Sequence, residues 1–455
     1  MSSLTDNAGS PTTSAVFKLA WPLTLKAIML HGIVVIDAYL VSALGEEALA
    51  AMGLATSIAG LLMGIIMAFS TATQIRVAQA FGSDDPVALK TGLYCGLLIN
   101  LAACCLGLLL VWLGASHVIH AFAHTPQIAE LALSYLQVFA VVILVEAMAQ
   151  CLTGHFNGCG ETKIPFYSYL IAVPANIIMS IVLIYGLYGF PELGLVGAAV
   201  GSAMSSTLRL LYLSVRLYRR DKFFLNVEGW LRGTLAFSTK RHLIFALPIA
   251  GTFISSTLAS SVAMLLYAKL NVNQFAAMTL IMPWVMVAGT FGITWAQATG
   301  IFVAQLLGRK SESHVLDEFL GRAWRAAFIA AILVATTYVL VCLSSTWLYE
   351  GLKVETTTTL LSFLPVLLFL PFPKISNAIC GNTLRAGGDT LYVMYIFVGS
   401  QWLFRLPLTA FMVLYLDLSA IWVFALVLGE ELVKFPAFHL RLFKGEWKRG
   451  IDAGA

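Results

Sequence analysis

Apolar residues run along this chain in long blocks separated by short polar breaks. A helix rises 1.5 Å per residue, so about 20 apolar residues cross the hydrocarbon core of a bilayer. Twelve blocks meet that length, near residues 15–40, 49–80, 89–114, 127–152, 164–188, 194–217, 240–268, 275–306, 319–347, 356–381, 391–415 and 419–440. Several are longer than a simple span requires, which predicts tilted helices or ends that project from the membrane. Strands of a membrane barrel would alternate apolar and polar residues over about ten positions, and these blocks do not.

The longest polar break, 219–239, falls near the middle of the chain and prompts a search for a repeat. Pro22 recurs as Pro248, 226 positions on, and Ala50-Ala51-Met52 recurs as Ala276-Ala277-Met278 at the same offset. Val77-Ala78-Gln79 with Gly82 recurs as Val303-Ala304-Gln305 with Gly308, again at 226, and Gly160-Glu161-Thr162 recurs as Gly388-Asp389-Thr390 at 228. Each match is weak alone; together they run in order at nearly one offset. The predicted fold is an all-α membrane protein of twelve transmembrane helices in two six-helix lobes. Six is even, so the lobes share an orientation and are related by a pseudo-two-fold axis along the membrane normal. The expected division is a disordered lead over 1–14, an N-lobe over 15–218, a cytoplasmic linker over 219–239, a C-lobe over 240–441 and a cytoplasmic tail over 442–455. Transporters commonly bind substrate near the midplane between such repeats.

Composition agrees: 59% of residues are hydrophobic and 11% charged, with mean hydropathy +0.87, whereas soluble domains carry about 25% charge. The placement of Lys and Arg sets the expected topology. With the N-terminus inside, the inner loops hold Lys90, Lys163, a run from Arg216 to Arg241, then Arg309, Lys310, Arg322, Arg325 and Arg385, and the outer loops hold only Lys269 and Lys353. Both termini are therefore expected in the cytoplasm. The first dozen residues lack the basic start of a secretory signal. The seven cysteines contain no CxxC and mostly sit in apolar runs, as buried small hydrophobes do. No metal-ligand spacing, Walker A loop or GxSxG is present, so neither an enzyme nor a cofactor is expected.

One acid stands out. Asp37 lies inside the first block, and a carboxylate at membrane depth costs several kcal/mol unless it is protonated, paired or hydrated. Around it the run from Ile36 to Ala51, ID-x-x-x-V-x-x-L-G-x-x-A-L-A-A, resembles the multidrug and toxic compound extrusion (MATE) transporters. So do VAQxxG at 77–82 and 303–308, the Gly158–Pro165 run, Asn176, GLVGAA at 194–199, LPIA at 247–250 and LRAGGDT at 384–390. The resemblance covers nearly the whole chain in the family order. It implies an exporter of drug-like, often cationic and amphipathic compounds in exchange for H⁺ or Na⁺, and the short termini and brief loops suit a bacterial inner membrane. Its partners would be small molecules and the lipid bilayer, without nucleic acid, and it would act as a monomer. It also implies that Asp37 is the cation-coupling acid, joined by Asn176 and Ser202, with Ser180 where some prokaryotic members have an Asp. In the second lobe, acids known from one subfamily align with Ser256 and Lys374. A lysine there would repel Na⁺, which favours H⁺ coupling through Asp37, with Na⁺ still open.

The residues support a titrating role independently. Burial disfavours an ionised carboxylate and donors favour it, and Asn176 and Ser180, at i and i+4, share one helix face that could meet Asp37. Pro22 removes one backbone bond and can kink the first helix. The plainer alternative pairs Asp37 with Lys26, His31 or a backbone group. Lys26 could instead snorkel to the interface. Glu146 either titrates or pairs with Gln150 at i+4. Gln74, Asn157, Trp284, Lys374, Asn377 and Arg405 are candidates to line the substrate cavity. Pro371 and Pro373 predict a broken helix beside Lys374. Two rival functions remain at this level. A lipid-precursor flippase would need a strongly cationic cavity for phosphates, at which only Lys374 and Arg405 hint. A passive channel would need pore-lining rings and no titratable acid; the second lobe has Ala263 at the position of Asp37, which favours asymmetric coupling.

Overall fold

The computed structural model describes residues 10–220, 234–344 and 352–449. Helices begin where capping side chains and prolines put them. Asp85 accepts from the backbone N–H groups of Val87 and Ala88 at 2.9 and 3.0 Å, with Pro86 at the first helical position. Thr125 with Pro126 does the same one helix later. Such residues satisfy N–H groups that the helix leaves unpaired, and proline has none to lose there.

The N-terminal half contains α1 (Thr13–Ser42), α2 (Glu46–Gly82), α3 (Pro86–Phe122), α4 (Pro126–Gly158), α5 (Lys163–Tyr185) and α6 (Gly194–Arg220). The C-terminal half contains α7 (Thr234–Tyr267), α8 (Val272–Gly308), α9 (Ser313–Leu343), α10 (Val354–Phe369), α11 (Pro371–Ala386), α12 (Thr390–Leu414) and α13 (Ala420–Phe443). The axes of α10 and α11 bend by 44° at Leu370, the break that Pro371 and Pro373 predict, so the pair is one span. Ten further helices are long and apolar enough to cross a membrane. The twelfth span is α13, whose interior carries Glu430, Glu431 and Lys434. This is the predicted twelve-helix, two-lobe, all-α membrane fold. Most helices outrun their apolar blocks by several residues at one or both ends.

Packing divides the chain into two compact units, Leu25–Ala250 and Gly251–Ala455 together with residues up to Thr24. The division therefore falls inside α1 and α7, two residues after Pro22 and two after Pro248, rather than in the polar linker. Most of the expected linker, 221–233, lies outside the described residues, as do 1–9, 345–351 and 450–455. The lead is ordered where it is described: Ser10 is fully buried and takes a hydrogen bond from the Arg322 guanidinium, and α1 has begun by Thr13.

In the first unit α4 packs along α2 and α6, and α5 packs along α6. Lipid gives apolar helices little reason to associate, so close approach over small residues is what holds such bundles. A β-carbon on Gly154 or Gly158 would lie 2.6 Å from the carbonyl oxygen of Ser70 or Gln74 on α2. One on Gly201 would lie 2.5 Å from Ser180 Oγ on α5. The core of this unit is built largely of alanines and branched aliphatics, Val41, Ala55, Ile143, Ile184 and Ala199 among them. The second unit centres on α8 against α9 and α11, with Phe363 stacked on Phe424 at 4.4 Å between ring centroids. Gly160 and Gly388, matched in the repeat, both take positive φ, 80° and 96°, a backbone state that glycine adopts at little cost.

Candidate functional site

Three of the four residues predicted for the coupling site, the first-helix acid among them, are joined by hydrogen bonds. Asn176 on α5 donates from Nδ2 to Ser202 Oγ on α6 at 3.0 Å. Ser202 in turn donates to Asp37 Oδ2 on α1 at 3.5 Å. The string forms because Gly197 and Gly201 let α6 lie against α5, which sets Asn176 and Ser202 side by side. Tyr185 donates to the backbone oxygen of Leu40 at 3.1 Å and ties the end of α1 to α5. Asn176 and Ser202 are buried and Asp37 is half-buried. The fourth residue, Ser180, is buried against Gly201 and makes no hydrogen bond to the string. Asp37 Oδ1, Asn176 Oδ1 and Ser180 Oγ are buried oxygens with no hydrogen-bond partner among the described residues. Tyr135 on α4 lies within electrostatic reach of Asp37; nothing in the sequence singled it out.

Asp37 has no cationic partner among the described residues. Lys26 lies instead within electrostatic reach of Glu146 and Arg209, and the His31 side chain is exposed. Glu146 does pair with Gln150, which donates at 3.1 Å, but its main partner is Arg209 on α6 at 2.8 Å. Both are nearly inaccessible, and the guanidinium stacks on the Tyr169 ring at 4.4 Å. Removing one partner of such a pair would strand a buried charge.

Gln74 and Asn157, candidate cavity residues, bond to each other at 3.2 Å within the glycine-lined crossing of α2 and α4. Trp284 is partly buried against the core of the second unit.

The other three cavity candidates meet in that second unit, around acids that sequence reasoning passed over. Arg405 pairs with Glu430 at 2.7 Å. Lys434 bridges Glu430 at 3.1 Å and Glu431 at 2.8 Å. Asn377 on α11 donates to the Glu431 carboxylate at 2.9 Å and to its backbone oxygen at 2.8 Å. Lys374, one turn before Asn377, lies within electrostatic reach of Glu431, Lys434, Glu430 and Arg405. Arg405 closes a π-helical turn, Ser400–Arg405, inside α12. Within that turn Gln401 donates to Ser256 Oγ at 3.0 Å and Trp402 donates to Ser255 Oγ at 3.0 Å, so the position of a subfamily acid is filled by a neutral network. The missed cluster had one signal in the sequence, the Glu430–Lys434 spacing at i and i+4 within an apolar block.

Two six-helix lobes built on one repeat, each with charge held at membrane depth, make this chain a membrane transporter, not an enzyme. A family model described as MatE matches residues 22–182 and 248–411, and the chain belongs to that family of multidrug and toxic compound extrusion transporters. The chain is 22% identical over 447 residues to the uncharacterized transporter YisQ of Bacillus subtilis, covering 96% of this chain and 92% of that protein. It is 27% identical over 305 residues to the probable multidrug resistance protein NorM of Rhizobium meliloti, covering 64% of each. Its fold matches a crystal structure of MATE in the bent conformation with a TM-score of 0.84 at 18% identity, over 96% of each chain. A mutant of the Vibrio cholerae MATE transporter VcmN matches with a TM-score of 0.82 at 17% identity, over 96% of this chain and 98% of that one.

Proposed function

We propose that this protein is a secondary active antiporter that exports drug-like, cationic and amphipathic organic compounds in exchange for H⁺, with Asp37 as the group that takes and releases the proton. One observation carries the reading. Among the described residues Glu146, Glu430 and Glu431, the other acids deep in the helices, are each bonded to a cation, whereas Asp37 receives only the long hydrogen bond from Ser202. A paired carboxylate has its charge spoken for; an unpaired one is free to alternate between a proton and a cationic substrate. Ionised, Asp37 attracts an organic cation and the Ser202 hydroxyl; protonated, it attracts neither as strongly. Each ligand then favours the conformation that binds it better, which is all that coupling requires.

The printed description of the Rhizobium meliloti relative as a probable multidrug resistance protein supports the substrate class. The excess of Lys and Arg in alternate loops supports cytoplasmic termini, and the bacterial source of the relatives supports an inner membrane. We read the functional unit as a monomer that needs no cofactor beyond the coupling ion. Gln74, Asn157, Trp284 and Asn377 remain proposals as cavity residues.

A second reading keeps the antiporter and changes the ion. The three unpartnered oxygens of Asp37, Asn176 and Ser180, with the Ser202 hydroxyl, are hard oxygen donors of the kind that suits Na⁺. The test is transport of ethidium into inverted proteoliposomes under an imposed pH gradient or an imposed Na⁺ gradient. Uptake driven by the pH gradient alone, and lost in Asp37→Asn, is the expected result. Uptake that needs Na⁺ selects the second reading, and uptake that survives Asp37→Asn removes Asp37 from the coupling site.

A further inference from the structure

Lys374 is the charge that the C-lobe cluster leaves over. The four groups around it are Glu430, Glu431, Arg405 and Lys434, two acids and two bases, and their formal charges cancel. Both glutamates are already engaged, Glu430 by Arg405 and Lys434, Glu431 by Lys434 and Asn377. Lys374 makes no hydrogen bond or ion pair to a described residue. It is not sealed in: the side chain is only half-buried. A glycine faces the ammonium. A β-carbon on Gly289 would stand 3.8 Å from Lys374 Nζ and 3.5 Å from Tyr338 Oη, so α8 passes the ammonium without setting a side chain of its own against it and the Tyr338 phenol lies to one side. The phenol hydrogen is given to the backbone oxygen of Val285 at 3.0 Å, which holds the ring in place.

An ammonium within a membrane protein that lacks an anion of its own is costly, and the cost falls when a ligand brings the anion. We propose that Lys374 docks a carboxylate carried by transported compounds, so that the protein accepts zwitterionic amphipaths as well as cations. The inference rests on the reading of the chain as an exporter of organic compounds. A carboxylate suits the site because one ammonium makes a point contact with a single negative charge. The cluster carries one surplus positive charge, which one carboxylate neutralises and a doubly charged phosphate would exceed.

Rhodamine B, which carries a free carboxylate, and its ethyl ester, which does not, form a matched pair of probes. Their binding to the purified full-length protein in detergent, followed by fluorescence anisotropy, needs no ion gradient, so this test can fail while proton coupling stands, and the reverse. The unmodified protein is expected to bind the acid at least as tightly as the ester. In Lys374→Gln the ratio of acid to ester affinity should fall about tenfold, the scale of one charge-assisted contact, and Lys374→Arg should restore most of it. An acid-to-ester ratio unchanged in Lys374→Gln overturns the proposal. So does an unmodified protein that prefers the ester about tenfold, a measurement independent of how the variants fold. Displacement of rhodamine B but not the ester by phosphatidylglycerol would assign the ammonium to a lipid headgroup and equally overturn it.

Discussion

The two lobes place charge at corresponding crossings and give it different signs. On α4 the residue is Glu146, held by Arg209 of α6. The matched position on α11, 228 residues later, is Lys374, within reach of the glutamates of α13. Elsewhere the chemistry differs from one side to the other: 226 residues beyond Asp37 stands Ala263, and at the offset of 228 shared by Gly160 and Gly388 the positions of Asn176 and Ser202 are taken by Phe404 and Glu430. A duplicated fold therefore constrains where helices approach closely enough to pair polar groups. It does not constrain which group supplies the negative charge. That freedom lets one lobe keep a lone acid while the other keeps a lone base.

Asp37→Asn tests the comparison most severely. An amide mimics the protonated acid permanently, so gradient-driven export should fall to background while the protein still folds and inserts. Lys374→Gln should leave that driven export measurable; if it abolishes transport as completely as Asp37→Asn, the lobes are not divided as described. Breaking the buried pair of the N-lobe should act on stability instead. Glu146→Gln alone strands Arg209 and should cost about 3–5 kcal/mol, read as a lowered midpoint of thermal unfolding in detergent. Exchanging the pair, Glu146→Arg with Arg209→Glu, should recover a large part of that loss, since the C-lobe already places a base on the equivalent of α4. If the exchange is as unstable as the single variant, the sign of the charge matters more than its position.

Smaller effects sharpen the same contrast. Gly158→Ala pushes a methyl group into the backbone of α2 and should cost about 1–3 kcal/mol, whereas Gly53→Ala, with nothing within 4 Å of the added carbon, should be neutral or stabilising in the same melt. Ser202→Ala removes a donor that stands 3.5 Å from the carboxylate. A good hydrogen bond to a charged group is worth about 1.5–3 kcal/mol, and one this long less, so ethidium transport should fall only severalfold. A complete loss would mean that the hydroxyl binds the coupling ion directly.

Much of this was legible in the sequence because it is local or periodic. Twelve apolar blocks, the offset near 226 residues, the proline break before Lys374 and the isolated Asp37 all follow from residue type and spacing. Asn176 and Ser202 came from the family resemblance, and Ser180 came with them. It does not join the string because the same glycine contact that brings α6 near holds its hydroxyl against Gly201. The pairing of Glu146 with Arg209 was not legible, since 63 positions separate them and only the packing of α4 on α6 brings them together. Glu430 and Glu431 hid for a related reason. Their cations come partly from their own helix and partly from Arg405 on another span, and a charged stretch near the end of the chain reads equally well as a helix end. The division of the chain inside α1 and α7, rather than at the polar linker, follows from how the helices pack, which no polarity pattern records.

The π turn at Ser400–Arg405 bears on how this chain can change by insertion and deletion. A π turn accommodates about one residue more than an α turn, and each residue of a helix advances the side-chain direction by about 100°. The turn absorbs its extra residue without shifting the phase of α12, whereas removing a residue from the regular helix just before it, within Thr390–Gly399, would rotate Arg405 by that amount and swing it away from Glu430. Two acids and one lysine would then remain on α13, with Lys374 beside them. The lone base of the C-lobe would acquire a spare carboxylate without any side chain being substituted. The excess charge in this lobe thus depends on helical phase as well as on residue identity, and a one-residue deletion can cancel it as fully as substitution of Arg405 would.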